Sequence, residues 1–187
     1  MEKLLSIRGN VLAYDGVVPK LAPNAFVAAT ATVIGNVQIG DQASIWYGCI
    51  LRGDVNSIRI GARSNIQDGT IVHVSPGEHP TVVGASVLVG HSVMLHGCTL
   101  EDNCFIGMRA SILNGALVES GAIVAAGALV VENTRVMSGE LWGGIPARRL
   151  RTIREGEIEQ MQAAVHEYIL LAARHAALVR LVDENDS

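Results

Sequence analysis

The sequence predicts an all-β solenoid: a parallel β-helix of six-residue repeats with one C-terminal α-helix packed along it. Three observations predict it. A branched aliphatic returns every sixth position over about 105 residues. A small or β-branched residue follows most of these aliphatics by four. Near residue 152 the period changes to that of a helix.

The repeat begins at Val27 and steps through Val33, Ile39, Ile45 and Leu51. After a short insertion it resumes at Ile60, Ile66 and Val72, and after a longer one at Val83, Val89 and Leu95. A slip of one residue then gives Leu100, Ile106, Ile112, Val118, Val124 and Val130. The small partners include Ala31, Val37, Ala43, Cys49, Ser64, Thr70, Ala110, Ala116, Ala122 and Ala128, and glycine follows the aliphatic at 40, 61, 84, 90 and 107. No helix or ordinary strand has this period. A short strand plus a corner does, and three such units close a triangular coil with its aliphatics inside. An alternating Val/Ala sequence could also make an ordinary sandwich, but so many consecutive registers favour the coil.

The coil is expected over residues 1–150, after a lead-in of about 1–22. Residues 151–187 are expected to form the helix and a short tail. Trp142-Gly143-Gly144-Ile145-Pro146-Ala147 reads as a turn-rich exit, with the repeat fading after Val130. Ile158, Met161, Val165, Tyr168 or Ile169, Ala172, Ala176 and Val179 recur at helical spacing. They predict one amphipathic helix of about 30 residues from about Thr152, with Asp183 to Ser187 as a frayed tail.

Composition agrees with such a core. Of 187 residues 49% are hydrophobic but only 4% aromatic, so small and β-branched side chains must fill the interior. The formal charge of −4 gives no electrostatic case for nucleic acid or an anionic membrane. No run of 18 apolar residues suggests a membrane helix. Met1 to Gly9 is too short and too charged for a signal peptide. Cys49, Cys98 and Cys104 follow no disulfide or zinc spacing, so a reducing cytoplasm is the simplest expectation.

The register turns histidine spacing into geometry. Every third repeat lies on one face, so those starting at Val33, Leu51, Val72, Leu95 and Ile112 stack. Arg52, His73 and His96 each occupy the second position of such a repeat and form one column, with coils about 4.8 Å apart. The 23 residues from His73 to His96 are one coil of three repeats plus a five-residue insertion around 76–80. Two stacked imidazoles can share one metal at bonds of about 2.0–2.1 Å. His91 belongs to the preceding repeat and so to another face, about 15–20 Å wide. A threefold trimer brings one subunit's His91 to its neighbour's His73 and His96, which predicts a closed homotrimer with three interfacial metals. The alternative is a set of unrelated surface histidines; His79, His166 and His175 fit no such scheme.

The segments Leu51-Arg52-Gly53-Asp54, Asn65-Ile66-Gln67-Asp68-Gly69-Thr70-Ile71-Val72-His73 and Gly90-His91-Ser92-Val93-Met94-Leu95-His96-Gly97-Cys98 resemble the motifs of γ-class carbonic anhydrases. The likeness runs through most of residues 10 to 150. It implies the left-handed β-helix of hexapeptide-repeat proteins, although general crossover rules favour the right hand. It implies reversible hydration of carbon dioxide to bicarbonate by a hydroxide on Zn2+, with Fe2+ or Co2+ possible since imidazole suits all three. His73 and His96 would bind the metal from one subunit and His91 from the next. Arg52 and Asp54 would pair across the interface, with Arg52 also near the anion. Asp68 would partner Arg52 or orient neighbouring groups. Gln67 would hydrogen-bond the metal-bound water, Asn65 would position carbon dioxide or bicarbonate, and Tyr168 would lie over the site. Bland alternatives stay open: a structural ion pair for Arg52, a corner role for Gln67, helix packing for Tyr168.

The chain also departs from the pattern. The best-known γ-class enzymes carry proton-transferring glutamates where Val55 and Pro76 stand here. Glu78 or His79 could substitute, or be solvated loop residues. Competing expectations are a weak or inactive metal-binding trimer, a hexapeptide-repeat acyltransferase, and a metal hydrolase for another small substrate.

Overall fold

A computed structural model describes residues 9–180. Within it the six-residue period becomes a triangular stack of parallel strands. The first face runs through the strands at Val27, Ile45, Ile66, Val89, Ile106 and Val124, each paired in parallel with the next. The second runs through Val33, Leu51, Val72, Leu95, Ile112 and Val130. The third runs through Ile39, Ile60, Val83, Leu100 and Val118. Strands Thr32–Ile39 and Ile50–Ile60 continue around the corner between the second and third faces, joining them into one sheet.

Every aliphatic from Val27 to Val130 in the predicted register is buried, and so is every small partner named above. Each large aliphatic removed from water contributes about 1.5–3 kcal/mol, so the column of aliphatics is the core and fixes the register. Many corner turns are closed by a backbone hydrogen bond such as Ala43 N to Gly40 O (3.2 Å) or Ala122 N to Glu119 O (3.0 Å), while at others a side chain takes the corner N–H, as Ser64 Oγ does from Val87 N (2.9 Å). The residue three after the aliphatic takes positive φ, as at Gln42, Gly48, Arg63, Gly69 and Asn103. That is the third position of a type II turn.

The coil is longer than the repeat suggests at both ends. Asn10–Leu12 and Lys20–Leu21 already pair in parallel with Thr32–Ile39, so the lead-in from residue 10 covers the first coil. Past Val130 the period continues through Val136, which is buried against Val118, to Trp142, which pairs with Val124. A tryptophan hides this last repeat because it is not a branched aliphatic. The exit at Trp142–Ala147 is a β-hairpin of Glu140–Gly144 and Ala147–Thr152.

The helix spans Glu157–Leu178, shorter than expected and starting later, because the hairpin strand runs through Thr152. It lies across the first face, with Val165 and Ala172 buried. Ala176 and Val179 are exposed; His175 turns in beside Ala172 and packs on Trp46, ring centroids 5.0 Å apart. Among the described residues no helix is long and apolar enough to cross a membrane. The expected tail at Asp183 to Ser187, like Met1 to Arg8, lies outside the described residues.

Candidate metal centre

The expected site residues fall into two groups. Arg52, Asp54, His73 and His96 belong to the second face and its far corner. Asn65, Gln67, Asp68, His91 and Tyr168 belong to the first face, its corner, and the helix above it.

In the first group, His73 and His96 are direct Cα partners on adjacent strands. Their ring centroids are 5.0 Å apart, and Nδ1 of His73 faces Nε2 of His96 at 3.1 Å. The outer nitrogens are both engaged. His73 Nε2 lies 3.1 Å from Asp54 Oδ1, and His96 Nδ1 lies 2.7 Å from Asn114 Oδ1. Burial pushes the Asp54 carboxyl up, but hydrogen bonds from His73 and Arg52 outweigh it and hold the group below the usual carboxylate range. Asp54 is therefore ionised and can only accept, so the His73 proton sits on Nε2. Asn114 Nδ2 donates to Ser75 Oγ at 3.1 Å, which turns its oxygen toward His96 Nδ1. When both rings are neutral with their protons on these outer nitrogens, two lone pairs face each other across the 3.1 Å gap. They repel unless a cation lies between them. With bonds of about 2.0–2.1 Å, donors 3.1 Å apart subtend about 100° at a shared ion, close to tetrahedral. The pair fits two ligands of one divalent metal.

Arg52 makes an ion pair with Asp54 within the same chain. Asp54 Oδ1 also accepts the Val55 N–H at 3.0 Å. Glu78 is exposed, whereas His79 is half-buried over Gly97 and Gly115.

In the second group, Asn65 and Gln67 flank Ile66 and point out of the coil, yet are only 1% and 4% exposed because the helix covers this face. Gln67 Nε2 donates to Asn65 Oδ1 at 3.0 Å. Asn65 Nδ2 is buried with no partner among the described residues. An unmet buried donor costs about 1–3 kcal/mol, so this one marks a place for an acceptor. Asp68 and His91 stack one coil apart at the next corner, where His91 Nδ1 and Asp68 Oδ2 are 3.0 Å apart and both side chains are partly exposed. Tyr168 packs edge-on against Trp46, centroids 5.4 Å apart. Burial, and secondarily the Asp68 charge, pushes its phenol up, so it stays a hydroxyl donor.

Within one chain no three His, Cys, Asp or Glu side chains among the described residues converge on a common point. Spacing alone did not single out Asn114, Ser75 or the aromatic cluster under the helix. Asn114 had one signal: it follows Ile112, one coil beyond His96 on the same face. His175 had none, because it meets Phe26, Trp46 and Tyr47 only when the helix folds back, with Tyr47 OH and His175 Nδ1 3.0 Å apart.

A parallel β-solenoid of six-residue repeats, carrying an engaged histidine pair on one face and an amide pair on the next, defines a hexapeptide-repeat protein. Known proteins agree. A hexapeptide transferase family protein from Anaplasma phagocytophilum shares 45% identity at a TM-score of 0.85, covering 88% of this chain and 96% of that one. A putative acetyltransferase from Bacillus cereus shares 34% at 0.88, covering 90% and 98%. Among curated proteins, "Gamma carbonic anhydrase 1, mitochondrial" of Arabidopsis thaliana is 52% identical over 164 residues, 85% of this chain and 60% of that protein. A probable carbonic anhydrase of Methanocaldococcus jannaschii is 45% identical over 152 residues, 81% of this chain and 95% of that protein. No family model matches the chain. The chain belongs to the γ carbonic anhydrase family. It spans about 60% of the length of the Arabidopsis relatives.

Proposed function

We propose that the chain assembles as a closed homotrimer and reversibly hydrates carbon dioxide at a divalent metal ion, Zn2+ with Fe2+ or Co2+ as possibilities. The ion is held between His73 and His96 of one subunit and His91 of the partner subunit. The observation that carries the metal is the approach of His73 Nδ1 and His96 Nε2 to 3.1 Å while the other nitrogen of each ring faces an acceptor oxygen. Three features support the shared site. One chain lacks a third convergent ligand among its described residues. The two half-sites lie on different faces. The outward column beside the histidines is apolar, with Ile50 and Ile71 exposed and Met94 half-buried, on a parallel sheet of the kind that is normally covered.

When bound, the ion lowers the pKa of a coordinated water toward about 7, so that water becomes a nucleophile at neutral pH. The chain's own residues do the rest. Asp54 and Asn114 keep both histidine protons away from the ion. Asn65 offers its free Nδ2–H to an oxygen of carbon dioxide or bicarbonate, and Gln67 holds that amide in place while reaching toward the water. Arg52, oriented by Asp54, presents a planar fork to the bicarbonate anion. Tyr168 contributes a neutral hydroxyl from the helix, and Asp68 orients His91 across their 3.0 Å contact. The buried thiols, each pushed up to about 12 by burial, fit a reducing compartment such as the cytoplasm.

A weakly catalytic or inactive trimer is the second reading, favoured by one observation. Val55, 48% exposed beside Asp54, and exposed Pro76 hold no proton to carry. Metal analysis with stopped-flow carbon dioxide hydration at rising buffer concentration separates the readings. The proposal predicts one ion per chain and a rate that climbs with buffer, since protons leave directly to it. A fully loaded site with no rate above buffer selects the inactive trimer. An absence of stoichiometric metal overturns both and returns the acyltransferase reading.

A further inference from the structure

The loop 74–80 carries the insertion that interrupts the repeat between His73 and His96. It is tied down. Asn56 Nδ2 donates to Ser75 O at 3.0 Å and to Gly77 O at 2.9 Å, and Ser75 N donates to His79 O at 3.2 Å. Ser75 Oγ then lies 3.1 Å from Asn114 Nδ2, across 39 residues of sequence. Asn114 Oδ1 completes the chain at His96 Nδ1, 2.7 Å away.

Space for this arrangement is made by Gly97. A Cβ there would lie 2.3 Å from Asn114 Oδ1 and 2.8 Å from His79 Cβ. The residue after His96 must therefore lack a side chain for Asn114 to reach the ring. Three independent placements converge on one nitrogen: the loop anchored by Asn56, the asparagine one coil on, and the glycine gap between them.

We propose that Asn114, oriented by Ser75 of the insertion loop, is a positioning residue for the metal centre: its oxygen holds the His96 proton on Nδ1 and so keeps Nε2 free as a ligand. The insertion is then a buttress whose sequence matters at Ser75 and Asn56, while exposed Pro76 and Glu78 are free to vary. The proposal rests on the metal reading above, but its first consequence exists without metal. With the oxygen removed, nothing holds the proton on Nδ1, and Nε2 is protonated in a share of the molecules. Partners of this kind are worth about 10–100-fold in metal affinity.

The test compares the wild type with Asn114→Leu, which removes the acceptor at similar size, Asn114→Asp, which keeps it, and Ser75→Ala. The His96 tautomer is read by long-range 1H–15N correlation in the chelator-treated full-length protein, and zinc affinity by chelator competition. The expected result is an Nδ1–H tautomer in wild type and Asn114→Asp, and a shift toward Nε2–H in Asn114→Leu. Zinc affinity should fall about 10–100-fold in Asn114→Leu and by less in Ser75→Ala, and Asn114→Asp should match or exceed wild type. Should Asn114→Leu not fold, an unchanged tautomer and affinity in Ser75→Ala overturn the proposal. So does wild-type tautomer and affinity in folded Asn114→Leu, or a loss in Asn114→Asp equal to that in Asn114→Leu. If wild type takes up no zinc, the metal reading fails, and the tautomer comparison still decides whether Asn114 sets the proton.

Discussion

Gly107 and Gly121 are both corner glycines, and they are glycines for different reasons. A Cβ on Gly107 would lie 2.4 Å from Ala126 N and 2.7 Å from Ala125 C, so the backbone of the next coil would have to move. Gly121 has open space around it but a φ of +69°. Gly107→Ala should therefore cost about 3 kcal/mol through displaced coils, and Gly121→Ala about 1 kcal/mol through left-handed backbone alone. Thermal unfolding of the two variants checks the order, and equal melting temperatures would refute it. The glycines that follow an aliphatic were legible in the sequence because they recur in register. The left-handed corner position two residues later was not, because Gln42, Arg63, Ser86, Ser92, Asn103, Arg109 and Asn133 occupy it as often as glycine does. At this scale the histidine column was also legible, since a six-residue period converts spacing directly into stacking. The partners that set the histidine protons were not. Asp54 and Asn114 reach the rings through strand continuation and coil stacking, which spacing alone does not rank.

Among the elements, the joint between hairpin and helix explains why the helix begins at Glu157. Glu157 takes both guanidinium nitrogens of Arg151 at 2.7 Å and the Arg154 N–H at 2.6 Å, so its carboxylate closes the strand and opens the helix together. The Arg151 hydrogen bonds, followed by that backbone N–H, pull its carboxyl from 4.5 down to about 2. A depressed acid stabilises the fold above its ordinary value and loses that contribution as pH falls toward the folded one. Amide protection factors at the start of the helix should thus hold at pH 5 and fall progressively toward pH 2, while Glu157→Gln should lose most of this pH dependence. A first turn whose protection is the same at pH 5 and near pH 2 would contradict the joint. Helical periodicity marked the inward face from Ile158 to Ala172 but overran the element at both ends. It could not register a hairpin strand upstream, or His175 replacing Ala176 as the inward contact.

For the whole molecule, the His73–His96 pair and His91 lie on neighbouring faces, and the proposed assembly accounts for that placement. The solenoid was readable because each coil repeats one packing problem, an inward aliphatic and a small corner residue, and repetition amplifies a weak local signal. The site was readable only as far as it follows that repetition. In the proposed site closure depends on a second copy, so metal and trimer are one claim. Mixed trimers test it most directly. His73→Ala and His91→Ala, each alone, should lose stoichiometric zinc. Combined in equal amounts and reassembled, three quarters of the trimers are mixed and each holds one intact site of three, so about a quarter of wild-type zinc should return. Recovery near that level is the predicted result. No recovery in verified mixed trimers, or a full complement of zinc in His91→Ala alone, would contradict a site shared between subunits.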